Sequence, residues 1–258
     1  MIVALVIASL LLAAEPDEVS YAQLRGREAE EFLRTAEVVG REPLSVGVTE
    51  SLRLTLSDGE RTVRAVWKTI DEFSPIKRFD DGGPPELGFR DSFKSEIAAY
   101  ELSRLLGLDF VPPTVHRVIG RVPGSLQLWM DGCITEGQRR REGRSASNRV
   151  AWTRQVYDLR MFHQLIHDSD YENLSNLLVD EKFRIWVIDQ SRAFRTQSRL
   201  LNREYLRQFS VGSLERLRQL TPELLEDELG EWLTTVQRRG LLERRDLLLE
   251  RAEEVPKH

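Results

Sequence analysis

Oxygen-bearing side chains crowd into one stretch of this 258-residue chain: Asp168, Asp170, Glu172, Asn173 and Asn176, with Asp189 following shortly after. Between Asn176 and Asp189 lie Leu177-Leu178-Val179, then Asp180-Glu181-Lys182, then Arg184 to Ile188. Two short apolar runs around a polar turn predict a hairpin. Antiparallel pairing would set Asn176, just before the first strand, beside Asp189, just after the second. Carboxylate and amide oxygens are the donors Mg²⁺ prefers, with phosphate oxygens usually completing its shell. An acidic group outside that shell, Asp170 or Asp168, could orient or deprotonate an attacking hydroxyl. Asp and Asn are also ordinary turn formers, so the hairpin alone does not specify a site.

A second pair lies upstream. Lys68 ends an alternating run, Thr62 to Lys68, and Glu96 sits in the next predicted helix. A strand-end lysine with a helix glutamate is the arrangement by which kinases hold phosphate oxygens. Both residue types are abundant, so the pair gains meaning only beside the acidic hairpin.

The elements needed to position these residues can be read in order. Glu28 to Val39 predicts a short helix, with Ala29, Phe32, Leu33 and Ala36 on one face. Ser45 to Leu56 and Thr62 to Lys68 predict strands joined through Asp58-Gly59, a strong hairpin signal. Phe73 to Gly88, centred on Gly82-Gly83-Pro84-Pro85, reads as a mobile loop. Asp91 is placed to cap a helix reaching about Leu106, and Val111-Pro112-Pro113 breaks the chain. Val115 to Ile119 and Ser125 to Met130 predict two more strands, Ser147 to His167 a long helix, and the chain from Ser213 onward is leucine-rich, charged and helical. The expected fold class is α+β: a small β-rich lobe over residues 28–131 and a mostly helical lobe over 132–258.

Composition narrows the function classes. Hydrophobic residues at 41% and charged residues at 31% suit a globular chain with a sizeable core. A net charge of −5 gives no reason to expect a nucleic-acid partner, and the basic run Arg139-Arg140-Arg141 reads as a solvated segment. Cys133 is the only cysteine, which excludes an intramolecular disulfide and a cysteine metal cluster. The four histidines do not show zinc-hydrolase spacing. Ile2 to Ala14 is almost wholly apolar and stops at Glu15-Pro16-Asp17-Glu18. That run is too short to span a bilayer and suits a signal segment over residues 1–14, with Ala13 and Ala14 at the cleavage point, although it lacks a leading Lys or Arg. The protein is then exported, with no integral span left after signal removal; without a working signal it is cytoplasmic.

Val46-Gly47-Val48-Thr49, Ala65-Val66-Trp67-Lys68, Ser95-Glu96-Ile97-Ala98-Ala99-Tyr100, Leu105-Leu106-Gly107-Leu108, Val111-Pro112-Pro113-Thr114-Val115 and Ile188-Asp189-Gln190-Ser191-Arg192-Ala193-Phe194 together resemble a group of bacterial proteins related to atypical kinases, among them phosphatidylinositol 3-kinase, HipA and Fam20. The resemblance runs from about Glu30 to Leu248 and implies a two-lobed kinase-like fold that uses ATP and Mg²⁺ on an unknown phosphoryl acceptor. It implies that Lys68 holds ATP phosphates and Glu96 orients Lys68. Gly47 and Thr49 would lie over the phosphates, and Gln127 to Met130, including Trp129, would form the hinge beside adenine. Asp170 would be the catalytic aspartate, and Asn176 and Asp189 the metal ligands.

The sequence departs from that pattern where transfer would occur. Tyr171 stands where relatives carry Arg. Asn176 lies six residues after Asp170 rather than five, while Asp168 and Asn173 have the five-residue spacing, so either register is open. Glu50 adds a negative charge to the phosphate loop, and Gln190-Ser191 replace the usual pair after the metal aspartate. Two readings follow: an active phosphotransferase, or a degenerate module that holds nucleotide and works by contact.

Overall fold

The computed structural model describes residues 24–44, 51–80 and 82–257. Gly47, Thr49, Glu50 and the apolar run 2–14 lie outside the described residues. Helix α1 (Gly26–Thr35) is followed by β1 (Glu37–Pro43), β2 (Leu52–Ser57) and β3 (Thr62–Lys68). Then come β4 (Asp71–Lys77), β5 (Glu86–Ser92), α2 (Phe93–Leu105), β6 (Thr114–Ile119) and β7 (Val122–Leu128). The second half holds β8 (Ile134–Thr135), α3 (Glu136–Arg141), α4 (Arg149–Ile166), β9 (Leu177–Val179) and β10 (Ile185–Val187), then α5 (Val211–Gln219), α6 (Pro222–Leu229) and α7 (Thr235–Glu254).

The architecture is α+β and two-lobed. An antiparallel sheet in the order β1-β2-β3-β7-β6 makes the first lobe, and α1 lays Ala29, Phe32 and Leu33 on its inward residues Leu54, Leu56, Val63, Ala65 and Leu126. The alternation of β3, with Val63, Ala65 and Trp67 buried, is what pattern and pleat require of a one-sided sheet. The second lobe gathers α4 to α7 around Phe162, Leu165, Phe194, Leu217 and Leu241. The core face of α2, including Ala98, Ala99 and Leu102, belongs to this second core. Among the described residues, no helix is long and apolar enough to cross a membrane.

Four expectations need correction. The stretch from Phe73 to Gly88 is not a loop throughout: β4 and β5 form an antiparallel ribbon, with Phe73 opposite Arg90 and Ile76 opposite Leu87. Gly82, Gly83, Pro84 and Pro85 fall in its connection, while Pro75 and Gly88 sit within the strands. Cross-strand contacts hold the ribbon, with Arg90 at 5.0 Å from the Phe73 ring centre and Lys77 at 5.1 Å from that of Phe89. The cap of α2 is Ser92, the last residue of β5 and one position later than Asp91; its hydroxyl accepts from the Lys94 amide at 3.2 Å. The first helix ends at Thr35, where Glu37-Val38-Val39 turn to β structure. The strand expected to start at Ser125 begins three residues earlier, at Val122.

Candidate functional site

Lys68 arrives at the site because β3 is pinned along its length. Ser125 of β7 lies opposite it, and Gly124 next door leaves the space that the Lys68 carbonyl and the Trp67 ring occupy. A Cβ on Gly124 would collide with both. The Lys68 ammonium donates to Glu96 Oε1 at 2.5 Å and to Asp189 Oδ1 at 2.6 Å. Burial opposes its charge, but the two carboxylates prevail and hold it above the usual lysine range. Burial pushes the Glu96 carboxyl upward, and Lys68 pulls it back only in part. Glu96 is 1% exposed, and its second oxygen accepts the Gln190 amide at 3.2 Å. Three elements distant in sequence thus meet at one ammonium.

The acidic loop is built from the end of α4. Asn148 caps its start, accepting from the Ala151 amide at 3.0 Å. His167 stops it in a left-handed turn, φ 51°. Asp168 then folds inward: its Oδ1 accepts the Asp170 amide at 3.0 Å, and its Oδ2 lies 3.9 Å from His163 Nε2. Burial, with the Asp170, Asp189 and Glu96 charges adding, raises the Asp168 carboxyl to about 7. Burial lowers both His163 and His167 to about 4, so both are neutral near pH 7.

Asp170 is exposed instead. Its Oδ2 accepts the side-chain amides of Asn176 at 2.9 Å and Asn173 at 3.0 Å. Asp168 and Asp170 therefore occupy different layers, one beneath the loop and one on its surface. Asn176 is fixed to the hairpin by its carbonyl, which accepts the Ile188 amide at 3.0 Å. Asp189 comes next, left-handed at φ 66°, its side chain half exposed. The hairpin turn is tied by Asp180, whose Oδ1 accepts the Lys182 and Arg184 amides at 2.8 and 2.9 Å.

No group of three or more His, Cys, Asp and Glu able to hold a metal is found among the described residues. The donor set at the hairpin end is smaller and oxygen-only: Asp189, and an Asn176 amide whose oxygen takes no hydrogen bond among the described residues. This suits Mg²⁺, which keeps waters and phosphate oxygens, better than a caged structural metal.

The expected hinge is partly engaged with the protein itself. Gln127 Nε2 donates to Thr114 Oγ1 at 3.0 Å, the Leu128 amide to Pro113 O at 2.8 Å, and the Trp129 amide to Arg64 O at 2.9 Å. Trp129 and Met130 line a cavity of about 400 Å³ with Tyr100, Cys133 and Trp186, and Lys68 is not among its walls. A second cavity of about 230 Å³ lies below the acidic loop, between Trp152, His163, Tyr171 and Tyr205. Tyr171, in the position where the resemblance expects an arginine, packs edge-on against Tyr205 with ring centres 5.6 Å apart.

Several supporting residues carried no signal in the sequence. Arg244 of α7, fully buried, donates to Leu165 O at 2.8 Å and Arg195 O at 2.9 Å, joining the end of α4 to the segment after Asp189. Gln237 donates to Phe194 O at 3.1 Å. Arg244 lies in no motif, being one polar residue in a charged helix; Gln237 closes a capping box with Thr234 at the start of α7, a pattern that marks the helix end but not the bond to Phe194.

No protein-family model matches the chain, and no curated protein matches it in sequence. Solved structures do. The structure of Fam20 from hydra, solved with sugar, superposes with a TM-score of 0.61 at 17% identity, covering 88% of each chain. The Golgi casein kinase gives 0.59 at 14% identity over 88% of this chain and 75% of that one, and its complex with Mn/ADP gives 0.59 at 15% over the same shares. These likenesses establish a kinase-like fold.

Proposed function

We propose that the chain is a Mg²⁺-dependent phosphotransferase that takes ATP and passes its terminal phosphoryl group to a hydroxyl on a protein or small molecule. One observation supports this reading above the others: Lys68 is bonded to both Glu96 and Asp189, 28 and 121 residues away. A buried ammonium held between two carboxylates is poised to exchange one of them for phosphate oxygens. Glu96, the more buried partner, keeps the ammonium in place while Asp189, half exposed, is released to a metal. Asn176 and Asp189 would hold Mg²⁺, which when bound neutralises charge on the phosphates. Gln127, Trp129 and Met130 would edge the adenine, with Gly47 and Thr49 over the phosphates. Asp170, at the surface with one oxygen uncommitted among the described residues, accepts the proton of the acceptor hydroxyl. Asp168 supports that loop from beneath. The lobes divide at 131/132, and the apolar run 2–14 supports export, which N-terminal sequencing of the native protein would test by finding a start near Glu15.

Calorimetry of the purified protein with Mg²⁺ and ATP tests the reading. Binding that is lost in Lys68→Met, followed by measurable turnover, supports it; no binding removes it. Tyr171 in place of arginine, and an Asp170 oxygen already shared by two amides, favour a second reading as a nucleotide-holding module. Binding without turnover would select that one.

A further inference from the structure

The ribbon β4–β5 reaches across to the segment that follows Asp189. Glu86, the first residue of β5, lies opposite Lys77 at the connection end of the ribbon and meets two arginines 106 and 109 residues away. Arg192 Nη2 donates to Glu86 Oε2 at 2.8 Å, and Arg195 forms an ion pair with the other oxygen. Arg195 is 5% exposed and also donates to the Gly88 carbonyl at 3.2 Å. Both guanidiniums lie over the Phe89 ring, at 5.0 and 5.6 Å from its centre. One turn further along, the Ser92 amide donates to Ser191 O at 2.9 Å, and the Gln190 amide donates to Glu96. The clamped segment is bracketed by left-handed residues, Asp189 at φ 66° and Phe194 at φ 59°, a conformation that non-glycine residues adopt only when their surroundings enforce it.

We propose that Glu86, Arg192 and Arg195 are positioning residues: they clamp the segment after Asp189 against the ribbon and so keep Asp189 and Glu96 together on Lys68. The consequence is a site assembled without an added phosphate on that segment. The glutamate supplies the negative charge that the two arginines require. Relevance to catalysis rests on the phosphotransferase reading, but the clamp itself can be measured without it.

The test uses full-length Arg192→Glu, with Arg192→Lys as the conservative variant and Glu86→Gln as an independent one. Arg192 is 42% exposed at its side chain, so its exchange spares the core. Hydrogen exchange is followed at Ser92 and Gln190, with Ile188, bonded to Asn176 across the hairpin, as the internal reference. Arg192→Glu is expected to speed exchange at Ser92 and Gln190 about tenfold or more while Ile188 holds its rate. It should also lower kcat for Mg–ATP turnover about tenfold, since displacements on the order of 1 Å cost up to about a hundredfold. Arg192→Lys should recover most of both. Unchanged exchange in Arg192→Glu and Glu86→Gln overturns the clamp. Faster exchange with unaltered kcat overturns its role in positioning. A wild-type protein that binds no Mg–ATP defeats the phosphotransferase reading instead, and the exchange arm then decides the clamp by itself.

Discussion

Asp168 allows a quantitative test of which aspartate does chemistry. Its carboxyl lies beneath the loop, accepts one amide, and faces a neutral histidine rather than a cation. Moving from 3.8 to about 7 on folding corresponds to about 4 kcal/mol, at about 1.4 kcal/mol for each tenfold in proton affinity. The sign is opposite to that of a salt-bridged aspartate. The folded state binds the proton more tightly, so the stability this group contributes is complete below pH 3.8 and is lost as pH rises through about 7. Asp168→Asn keeps the shape and the acceptor for the Asp170 amide but cannot ionise. It should therefore be more stable than the wild type at pH 8, by about 2–4 kcal/mol, and within about 1 kcal/mol of it at pH 4.5. Urea melts at both pH values measure this. Turnover in Asp168→Asn should persist at pH 8, because the surface Asp170 remains. If the variant is no more stable at pH 8 than the wild type, the burial argument fails; if it loses turnover completely, Asp168 rather than Asp170 is the base.

Asp189→Ala should weaken Mg–ATP binding in calorimetry and abolish turnover, whereas Asp170→Ala should leave binding nearly intact and cut turnover by about two to four powers of ten. Gly124→Ala should cost about 1–3 kcal/mol in a urea melt by driving a methyl group into the Lys68 carbonyl and the Trp67 ring. His163, held neutral by burial down to about pH 4, loses its stabilising contribution as pH falls from 6.5 through that value. A His163→Gln variant should thus show a shallower decline in stability between pH 6 and pH 4 than the wild type.

The sequence made some of this arrangement visible and hid the rest for physical reasons. Strand β3 and the β9–β10 hairpin were legible because alternation and a compact charged turn are local signals; the register sets Asn176 opposite Ile188, one residue before Asp189. The ribbon β4–β5 was hidden because Gly82 to Pro85 dominate the reading of a stretch whose pairing depends on contacts between Phe73, Arg90, Lys77 and Phe89. The union of Glu86 with Arg192 and Arg195 spans more than a hundred residues between abundant residue types, and no spacing rule reaches it. The burial of Asp168 was equally silent. A polar loop reads as solvated, and only the left-handed end of α4 turns this one carboxylate inward while the next faces out.

The allegiance of α2 determines how the cleft can breathe. Ala98, Ala99, Leu102 and Leu106 are part of the same apolar core as α4 to α7, so swinging this helix away would tear open the larger lobe. Lys68 belongs to the opposite side, on a sheet whose own core is separate. The same helix is fastened to the first lobe as well: the Tyr100 hydroxyl donates to Glu30 of α1 at 2.8 Å, and the Arg104 guanidinium lies 3.5 Å from the same carboxylate. Glu96 therefore rides on the one helix that both cores grip, and a shift of either core reaches Lys68 through it.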